Sequence, residues 1–431
     1  MHLEIYGDRL CAAVAAGAFA STGNQVVLRA GAGPVGQSLA RGQCPFREPG
    51  VERLLAEQQA SGRLLLGALD EGPDDSADAV FLALEPHELE QALELVRRIG
   101  AREQNRWLLI NQSSFPVGST ERLQQELDAV RPAPAPPAEV VSLPDLLREG
   151  TAIEGYTRPG HWLLGCVSLW AEKRVREILR PFNRRRDDML VMSPREAEFT
   201  RLAITGMLAT RLSFMNDMAT LADTLSVDIE AVRQGVGADP RIGEAYLYPG
   251  CGFGGPNFSR DVMSLASTLA HSGVGSELLE QVLAINERQK EILFRKLWRH
   301  YGTDISGRGI AIWGAAFKPG TTRVDNAPVL RLIDALLAQG ARVRIHDPEA
   351  LPELMEHYRG QAGIEPCEDP YEAAREADAL MLVTEWKSYW SPDFDKLRSL
   401  MNTPLILDGR NIYAPEHVRE CGFEYYGIGR G

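Results

Sequence analysis

The stretch LEIYGDRLCAAVAAGAFASTGNQVVL, residues 3–28, sets the architecture of the first third of the chain. Residues 3–7 and 25–28 have the composition of short strands, and the small residues at 12–20 predict a helix between them. This order is typical of the first βαβ unit of a parallel sheet. The sequence therefore indicates an α/β fold from its first residues onward.

The turn after the first predicted strand bears on cofactor binding. Dinucleotide-binding units carry G-x-G-x-x-G there, because glycines let the backbone approach the pyrophosphate at the helix N-terminus. Residues 7–12 read GDRLCA, so Gly7 is kept, Arg9 replaces the second glycine and Ala12 replaces the third. At the end of the second predicted strand, Arg29 stands where an acidic residue would bind the ribose. These four residues are the candidate cofactor-binding positions.

Two interpretations of this turn stay open. Arg9 and Arg29 could bind the 2′-phosphate of NADP, since arginine accommodates that group in this fold. Alternatively the dinucleotide site is degenerate, which the loss of the turn glycines and the negative charge of Asp8 favour. We expect a degenerate site in which NAD is the cofactor if a dinucleotide binds, with NADP the less favoured of the two.

The alternation of strands and helices continues along the chain. Strands are predicted at residues 79–84 and 107–111, which supports a mainly parallel sheet. Residues 196–225 carry apolar residues at helical spacing with few breakers, which predicts one long buried helix. A second nucleotide-fold pattern begins with a strand at 309–314, followed by a leucine-rich helix and a strand at 342–346.

Composition narrows the class of protein. Of the 431 residues, 44% are apolar and 24% are charged, which is typical of a soluble globular protein. The net charge of -13 argues against nonspecific nucleic-acid binding and against anionic membrane surfaces. No apolar run reaches about 18 residues and no secretory leader is recognisable, so we expect a cytoplasmic protein without membrane insertion. Six cysteines without C-x-x-C spacing and eight dispersed histidines indicate no metal site.

A glycine-rich loop at residues 250–261, GCGFGGPNFSRD, is the most informative motif. It resembles the active-site loop of the UDP-glucose/GDP-mannose 6-dehydrogenases, G-x-G-Y/F-G-G-S-C-F-P-K-D. In that family the cysteine is the nucleophile that captures an aldehyde and then carries a thioester. Asn257 stands at its position here, and an amide is not a nucleophile near pH 7. Asp261 matches the aspartate that supports the catalytic water in the family.

The resemblance implies four further catalytic positions. Residues 112–120, QSSFPVGST, are similar to S-T-V-P-V-G-T-T, and Ser114 stands at the family's threonine; a serine that caps the next helix is the alternative. The segment VVSLPDLLREG resembles N-P-E-F-L-R-E-G, with Asp145 replacing the glutamate that takes part in thioester hydrolysis. The family's lysine and asparagine, four residues apart on one helix face, are Arg201 and Thr205 here.

A set of substrate-binding positions is also implied. They come from the sugar-holding segment after Asp145, from a match to D-x-R-I-G…F-L, from the loop itself, and from matches to G-L-A-F-K-P-N-T and D-G-R-N. The positions are Leu146, Leu147, Arg148, Arg241, Tyr246, Leu247, Gly250, Phe253, Gly254, Phe317, Lys318 and Arg410. For Arg410 a structural ion pair is the alternative to a ligand contact.

The resemblance covers nearly the whole chain and implies its architecture. It predicts two Rossmann-like doubly wound domains joined by a long central helix that also builds a homodimer. The expected boundaries are 1–192 for a degenerate dinucleotide-binding domain, 193–295 for the central helical region with the glycine-rich loop, and 296–431 for a UDP-sugar-binding domain.

Three functional hypotheses follow. The first is an impaired or inactive family member that binds a UDP-glucose-like nucleotide sugar and works, with a protein partner, in polysaccharide biosynthesis or its regulation. The second is an active NAD(P)-dependent dehydrogenase with altered chemistry or substrate, in which Arg201 stabilises the alkoxide and Asp261 or Asp145 is the base. The third is a conventional dehydrogenase that uses Cys251 as nucleophile, although a small structural cysteine is favoured there.

Overall fold

The computed structural model describes residues 1–41, 43–74, 76–101, 107–131, 138–183, 188–271, 273 and 275–430. The chain divides into two compact units, Met1–Leu202 and Ala203–Gly431. This division into two units does not test the expected domain boundaries at 192/193 and 295/296, which stay a prediction. Within the described ranges, no helix combines the length and the apolarity needed to cross a bilayer.

In the described part of the first unit, eight strands form one sheet. These strands are β1 (His2–Tyr6), β2 (Gln25–Ala30), β3 (Leu64–Ala68), β4 (Ala79–Leu82), β5 (Trp107–Asn111), β6 (Ala138–Ser142), β7 (Trp162–Gly165) and β8 (Met189–Met192). Their order across the sheet is β3-β2-β1-β4-β5-β6-β7-β8. The β6–β7 pair is antiparallel, and the other neighbours are parallel.

Helices cover both faces of this sheet. They are α1 (Leu10–Ser21), α2 (Pro34–Ala40), α3 (Val51–Ala60), α4 (Leu89–Gly100), α5 (Ser119–Val130), α6 (Ala152–Thr157), α7 (Leu169–Leu179) and α8 (Pro194–Leu225), the last of which continues into the second unit. Because both faces are covered, all of β4 is buried, and so is all of β1 except the half-buried His2, including the polar Glu4.

Small residues let α1 lie deep in the first unit. Every residue of α1 from Ala12 to Ala20 is buried, and α1 shares its core with Leu3 and Ile5 of β1. A methyl group on Gly17 would lie 2.9 Å from the Leu54 side chain of α3, so any larger residue there would require Leu54 to move. The helix predicted at residues 12–20 is therefore confirmed, and its alanine content follows from this close packing.

The second unit is a smaller parallel sheet preceded by helices. Its elements are α9 (Ile229–Ala238), α10 (Pro256–His271), α11 (Glu277–Lys290), α12 (Ile292–His300), β9 (Gly309–Trp313), α13 (Pro328–Ala338), β10 (Arg342–His346), α14 (Leu351–His357), β11 (Ile364–Pro366), α15 (Pro370–Ala374), β12 (Ala379–Leu382), α16 (Phe394–Leu400), β13 (Leu405–Asp408), α17 (Pro415–Glu420) and β14 (Glu424–Tyr426). The strand order is β11-β10-β9-β12-β13-β14, all parallel.

Both sheets reverse their strand order beside their first strand. The reversal lies between β1 and β4 in the first unit, and between β9 and β12 in the second. Ligands of doubly wound sheets bind at such switch points, outside the carboxyl ends of the strands. The prediction of two Rossmann-like domains and a long central helix is confirmed, and it directs attention to the loops after β1 and β9.

Candidate functional site

The turn after β1 is tightly packed. Gly7 has φ +147°, and a Cβ added there would lie 2.2 Å from the Ala83 carbonyl oxygen after β4. Ala12 is fully buried, and its methyl group would be 3.2 Å from that added Cβ. The first predicted cofactor glycine is thus required by the contact between two strand ends, whether or not a ligand binds beside it.

Charged side chains surround the same turn. Arg9 precedes α1, and its Nε lies 3.5 Å from Oδ1 of Asp8 and 4.0 Å from Oε1 of Glu85. The Asp8 carboxylate reaches the backbone after β2, because a Cβ added to Gly31 would be 3.2 Å from its Oδ2. Arg9 therefore faces two carboxylates at the edge where a pyrophosphate would approach. One of them, Asp8, follows β1, and its side chain reaches the backbone that follows β2.

Arg29 is the penultimate residue of β2, and two carboxylates hold its side chain. Its Nε donates to Oε2 of Glu4 at 2.5 Å, and its Nη1 donates to Oε2 of Glu71 at 2.5 Å. Arg29 is 8% exposed and Glu4 is 0% exposed. Because Arg29 pairs in register with Tyr6, which packs with α4, its side chain lies on the face opposite α1.

This placement corrects the position assumed for Arg29 at the strand end. The last residue of β2 is Ala30, not Arg29, and two carboxylates already neutralise the guanidinium. The sequence does not reveal this arrangement, because the two carboxylates that hold Arg29, Glu4 on β1 and Glu71 after β3, are distant from it along the chain. Its assignment as a cofactor-binding residue stays a prediction, but a 2′-phosphate would have to compete with Glu4 and Glu71.

The segment after β6 brings Asp145 close to Arg201. The Asp145 carbonyl oxygen accepts from Nε of Arg201 at 3.1 Å, and Oδ1 of Asp145 accepts from the Leu147 backbone N–H at 2.7 Å. Leu146 and Leu147 are half-buried and Arg148 is exposed. The fold therefore gathers Asp145 and Arg201, two of the predicted catalytic residues of this unit, although they are distant in sequence.

Cys11 joins this pair and is not singled out by the sequence. Burial raises the pKa of the Cys11 thiol well above its ordinary value, and the neighbouring Asp145 charge adds to this increase. A thiol beside a carboxylate at the carboxyl ends of the strands is notable in a chain whose loop lacks a cysteine at position 257. Its raised pKa keeps it in the protonated, weakly nucleophilic form near neutral pH.

Ser114 lies half-buried in the loop after β5. It does not cap the next helix, because α5 begins at Ser119 with Gly118 preceding it. The capping acceptor is instead Glu198 of α8, whose carboxylate accepts from the backbone N–H groups of Gly118 at 2.6 Å and Thr120 at 2.9 Å. The capping alternative for Ser114 is therefore wrong, and its catalytic assignment stays a prediction.

In the second unit, the glycines of the loop allow close backbone packing. A Cβ on Gly254 would lie 2.5 Å from the Asn326 carbonyl oxygen, and one on Gly255 would lie 2.7 Å from the Phe317 ring. The Gly255 N–H also donates to the Asp325 carbonyl at 2.8 Å. The loop thus lies directly against the segment after β9, which carries two of the predicted substrate-binding positions, Phe317 and Lys318.

Buried amides fix the loop from the other side. Asn286 accepts from the Phe253 N–H at 2.8 Å and donates to its carbonyl at 3.0 Å. Asn216 accepts from the Gly250 N–H at 2.9 Å, and Gln289 donates to the Gly250 carbonyl at 2.8 Å. All three amides are buried. The sequence analysis misses these residues, and their only signal is polar side chains on otherwise buried helix faces.

Asn257 is the exposed second residue of α10. Its Oδ1 accepts from Nη2 of Arg260 at 2.8 Å. Asp261 is 5% exposed, and its Oδ1 lies 3.9 Å from Nε of the same arginine. Thr205 is half-buried on α8, four residues after Arg201. The loop therefore presents an amide at the helix N-terminus and keeps a buried carboxylate one turn later.

Cys251 lies away from this helix N-terminus. It is 1% exposed, and its Sγ is 3.7 Å from the Val383 carbonyl oxygen. Burial raises the pKa of its thiol. A Cβ on Gly409 would be 2.9 Å from this sulfur, so the cysteine fills a small space beside the end of β13. These contacts support the structural interpretation of Cys251.

Arg410 also contacts the loop. Its Nε donates to the Val383 carbonyl at 2.7 Å and lies 3.2 Å from Oε2 of Glu385. Its Nη1 donates to the Gly252 carbonyl at 3.3 Å. These bonds support the structural alternative for Arg410, since it ties the loop to the end of β12; a direct ligand contact stays a prediction.

The contacts of the remaining predicted substrate-binding residues in the second unit differ. Arg241 is exposed and paired with Asp239, with Nη2 2.6 Å from Oδ2. Tyr246 has φ 59° and stacks on Phe258 at 6.2 Å, and Phe258 meets Phe253 edge to face at 5.1 Å. Leu247 is buried. Lys318 lies over the Phe317 ring, with Nζ 5.3 Å from its centroid.

A metal-binding group is not evident in the part of the chain that the structure describes. No cluster of three or more His, Cys, Asp or Glu side chains with a suitable arrangement occurs among those residues.

Comparisons with known proteins identify the family. The NAD binding domain, central domain and UDP binding domain of the UDP-glucose/GDP-mannose dehydrogenase family match residues 5–183, 195–288 and 311–415. A UDP-glucose 6-dehydrogenase of Pseudomonas aeruginosa is 40% identical over 443 residues, covering 100% of this chain and 98% of that protein. Another from Rhizobium meliloti is 34% identical and covers 91% of each chain.

A solved structure agrees with these matches. The UDP-glucose dehydrogenase of the hyperthermophilic archaeon Pyrobaculum islandicum has a TM-score of 0.88 at 28% identity, covering 100% of this chain and 98% of that one. The matched regions include the turn after β1, the glycine-rich loop and the segment after β9. The chain therefore belongs to the UDP-glucose/GDP-mannose dehydrogenase family and carries its NAD binding, central and UDP binding domains.

Proposed function

We propose that this chain binds a UDP-glucose-like nucleotide sugar but is catalytically impaired as a 6-dehydrogenase. The observation that carries the proposal is Asn257 at the position of the family nucleophile. Oxidising an alcohol to a carboxylate takes two hydride transfers, and in this family the second follows capture of the aldehyde as a thiohemiacetal. An amide nitrogen cannot form that adduct near neutral pH.

Neither Cys251 nor Cys11 is a suitable replacement for the family nucleophile. Cys251 is buried beside Val383, and burial raises its pKa. Cys11 lies beside Asp145, and its pKa is raised well above the ordinary value. A thiol in this state supplies little thiolate, which is the nucleophilic form. The chain's own residues therefore favour ligand binding over thioester chemistry.

The dinucleotide site is proposed to be degenerate. NAD is the cofactor of the family domain matched at residues 5–183. Here Asp8 reaches across to Gly31, so that a carboxylate lies where phosphate oxygens would pass. Arg29 is paired with Glu4 and Glu71, which argues against NADP in particular. We therefore expect NAD to bind weakly and NADP more weakly still.

A second candidate is an active dehydrogenase with altered chemistry. Oxidation that stops at the aldehyde requires no thiol. It needs an oxidised dinucleotide to accept the hydride, a base to take the hydroxyl proton and a group that stabilises the alkoxide. The contact between the Arg201 guanidinium and the backbone carbonyl of Asp145 favours this candidate, because it places a cation beside the residue that carries the candidate base. Asp261, buried in the second unit, keeps another family carboxylate.

Calorimetric titration with NAD and NADP, each with and without UDP-glucose, distinguishes the two candidates. For the impaired protein we expect UDP-glucose binding and dinucleotide affinities at least about tenfold weaker than the nucleotide-sugar affinity, or about 1.4 kcal/mol. Dinucleotide binding as tight as that of UDP-glucose, with reduced nicotinamide formed in a panel of nucleotide sugars, would establish the second candidate instead.

The variant Asn257→Cys tests whether restoring the thiol alone restores the reaction. We expect it to leave UDP-glucuronate formation undetectable, because the turn after β1 and the residues at 201 and 205 also depart from the family. Product formation by this single variant at the level of a conventional dehydrogenase would mean that the rest of the machinery is intact.

A homodimer built on α8 is also proposed. Three side chains at heptad spacing on this helix are exposed in the isolated chain: Met207 at 63%, Phe214 at 52% and Leu221 at 49%. Residues seven apart share one helix face, and an exposed apolar stripe of this kind is typical of a helix that packs against a partner. The exposed apolar stripe and the length of α8, 32 residues, together support the proposed homodimer.

Charge placed on this stripe tests the assembly. We expect Met207→Glu combined with Phe214→Glu to shift the protein from dimer to monomer in sedimentation velocity, since a glutamate is costly to bury without a partner. Val167→Glu, at a residue 84% exposed in the first unit, is the matched control and should leave the dimer unchanged. A wild-type protein that sediments as a monomer would refute the proposal.

The cellular role is proposed from the ligand class. Nucleotide sugars with a UDP group are donors for polysaccharides, so a binding protein of this family could act in polysaccharide biosynthesis or its regulation, in the cytoplasm and with a protein partner. Deleting the gene and measuring surface polysaccharide would test this role, and an unchanged amount and composition would count against it.

A further inference from the structure

Two glutamates with buried carboxylates lie outside the predicted site and are not used by the proposed chemistry. Glu48 and Glu198 are each 7% exposed. Both accept hydrogen bonds from the backbone of a loop at the carboxyl ends of the strands, across 78 to 104 residues of sequence. Burying a carboxylate is costly unless hydrogen bonds satisfy it, so these contacts call for an explanation.

Glu48 binds the segment that follows Asp145. Its Oε2 accepts from the Gly150 N–H at 2.7 Å, and its Oε1 accepts from the Ala152 N–H at 2.8 Å. Ala152 is the first residue of α6, whose first N–H groups lack partners within the helix. The carboxylate therefore fixes the end of a loop whose other end is β6, and residues 145–148 lie between these two fixed points.

Glu198 makes an equivalent contact with the end of the loop between β5 and α5. In addition to the N–H groups of Gly118 and Thr120, it accepts from Oγ1 of Thr120 at 2.6 Å. Burial raises the pKa of this carboxyl, although its three hydrogen bonds favour the ionised form. The two glutamates thus resemble each other in burial and chemistry but hold different loops, which makes each a control for the other.

We propose that Glu48 is a positioning residue that holds residues 145–148 in the shape that binds the hexose of a nucleotide sugar. This inference rests on the proposed function. Two charge-assisted hydrogen bonds keep the segment ordered before the ligand arrives, so that binding does not have to order it. Glu48 acts through the backbone of Gly150 and Ala152 and does not itself contact the sugar.

The affinities for UDP-glucose and for UDP separate this role from general stability. UDP lacks the hexose, so a merely destabilised protein should lose affinity for both ligands in parallel. We expect Glu48→Ala to weaken UDP-glucose binding about tenfold or more and to leave UDP binding within about twofold. Glu48→Gln keeps one acceptor oxygen and should give an intermediate loss.

Glu198→Ala is the matched control. It removes a carboxylate of equal burial, and we expect the ratio of UDP-glucose to UDP affinity to stay within about twofold of the wild-type value. A Glu48→Ala protein with an unchanged ratio would overturn the positioning role. The same holds if Glu198→Ala changes the ratio as much as Glu48→Ala does.

Amide hydrogen exchange tests the inference without any ligand. In Glu48→Gln we expect faster exchange at residues 147–152, with no change at residues 118–123, and the reverse pattern in Glu198→Gln. If the wild-type protein binds UDP-glucose no better than UDP, the protein does not recognise the hexose, and the proposed function is refuted. The exchange pattern still decides whether Glu48 orders its segment, and unchanged exchange would refute that too.

Discussion

Arg29→Met is expected to lower the free energy of unfolding by about 3–5 kcal/mol. The substitution leaves Glu4, which is 0% exposed, without the guanidinium that lies 2.5 Å from its Oε2. Glu71 loses the same partner, but its side chain is exposed and water can solvate it. The loss of stability therefore comes mainly from Glu4. Urea denaturation followed by circular dichroism measures the change.

Removing both charges should recover most of this loss. In the double variant Glu4→Leu with Arg29→Met, no buried charge remains, and buried ion pairs are often replaced by apolar groups without loss of stability. Arg53→Met is the control, since its pair with Glu57 is largely exposed and worth less than about 1 kcal/mol. A cost for Arg29→Met as small as that for Arg53→Met would show that Glu4 is adequately solvated without its partner.

Arg410→Ala is expected to weaken UDP-glucose binding by about 30- to 100-fold, or about 2–3 kcal/mol. Its guanidinium donates to the carbonyls of Val383 and Gly252, so its loss releases the glycine-rich loop from the end of β12. It also leaves Glu385 without this cation. Titration with UDP-glucose measures the affinity.

Two variants sharpen this test. Arg410→Lys keeps the charge but cannot donate in two directions from a planar group, so we expect it to recover less than half of the lost binding free energy. Arg398→Ala removes an exposed arginine that donates to the Cys421 carbonyl, far from the loop in sequence, and should leave the affinity unchanged. Full affinity in Arg410→Ala would refute the role of this residue in holding the loop.

The order of strands and helices could be predicted from the sequence because its signals are local. The alanine-rich α1, the apolar β4 and the long α8 each show a composition or period within their own residues. The two parallel sheets follow from the alternation of these elements. Nothing in a single segment, however, shows which residues of different strands will face each other.

Contacts between distant segments explain what the sequence does not predict. Arg29 is placed by Glu4 on a neighbouring strand, and Cys11 is placed beside Asp145, which follows β6. The amides of Asn286 and Gln289 that hold the loop lie on α11, 33 and 39 residues after Phe253 and Gly250, the loop residues to which they bond. In each case the residue type is ordinary, and only the fold shows what it contacts.

The packing of Gly254 and Gly255 has a consequence for surveys of genomes. Their side-chain hydrogens face the Asn326 carbonyl and the Phe317 ring, so these glycines are fixed by the shape of the polypeptide rather than by the reaction. Selection for folding alone would preserve them, whatever residue stands at position 257. A search that assigns dehydrogenase activity from this glycine pattern would therefore detect a requirement of folding, and the residue at position 257 bears more directly on the chemistry.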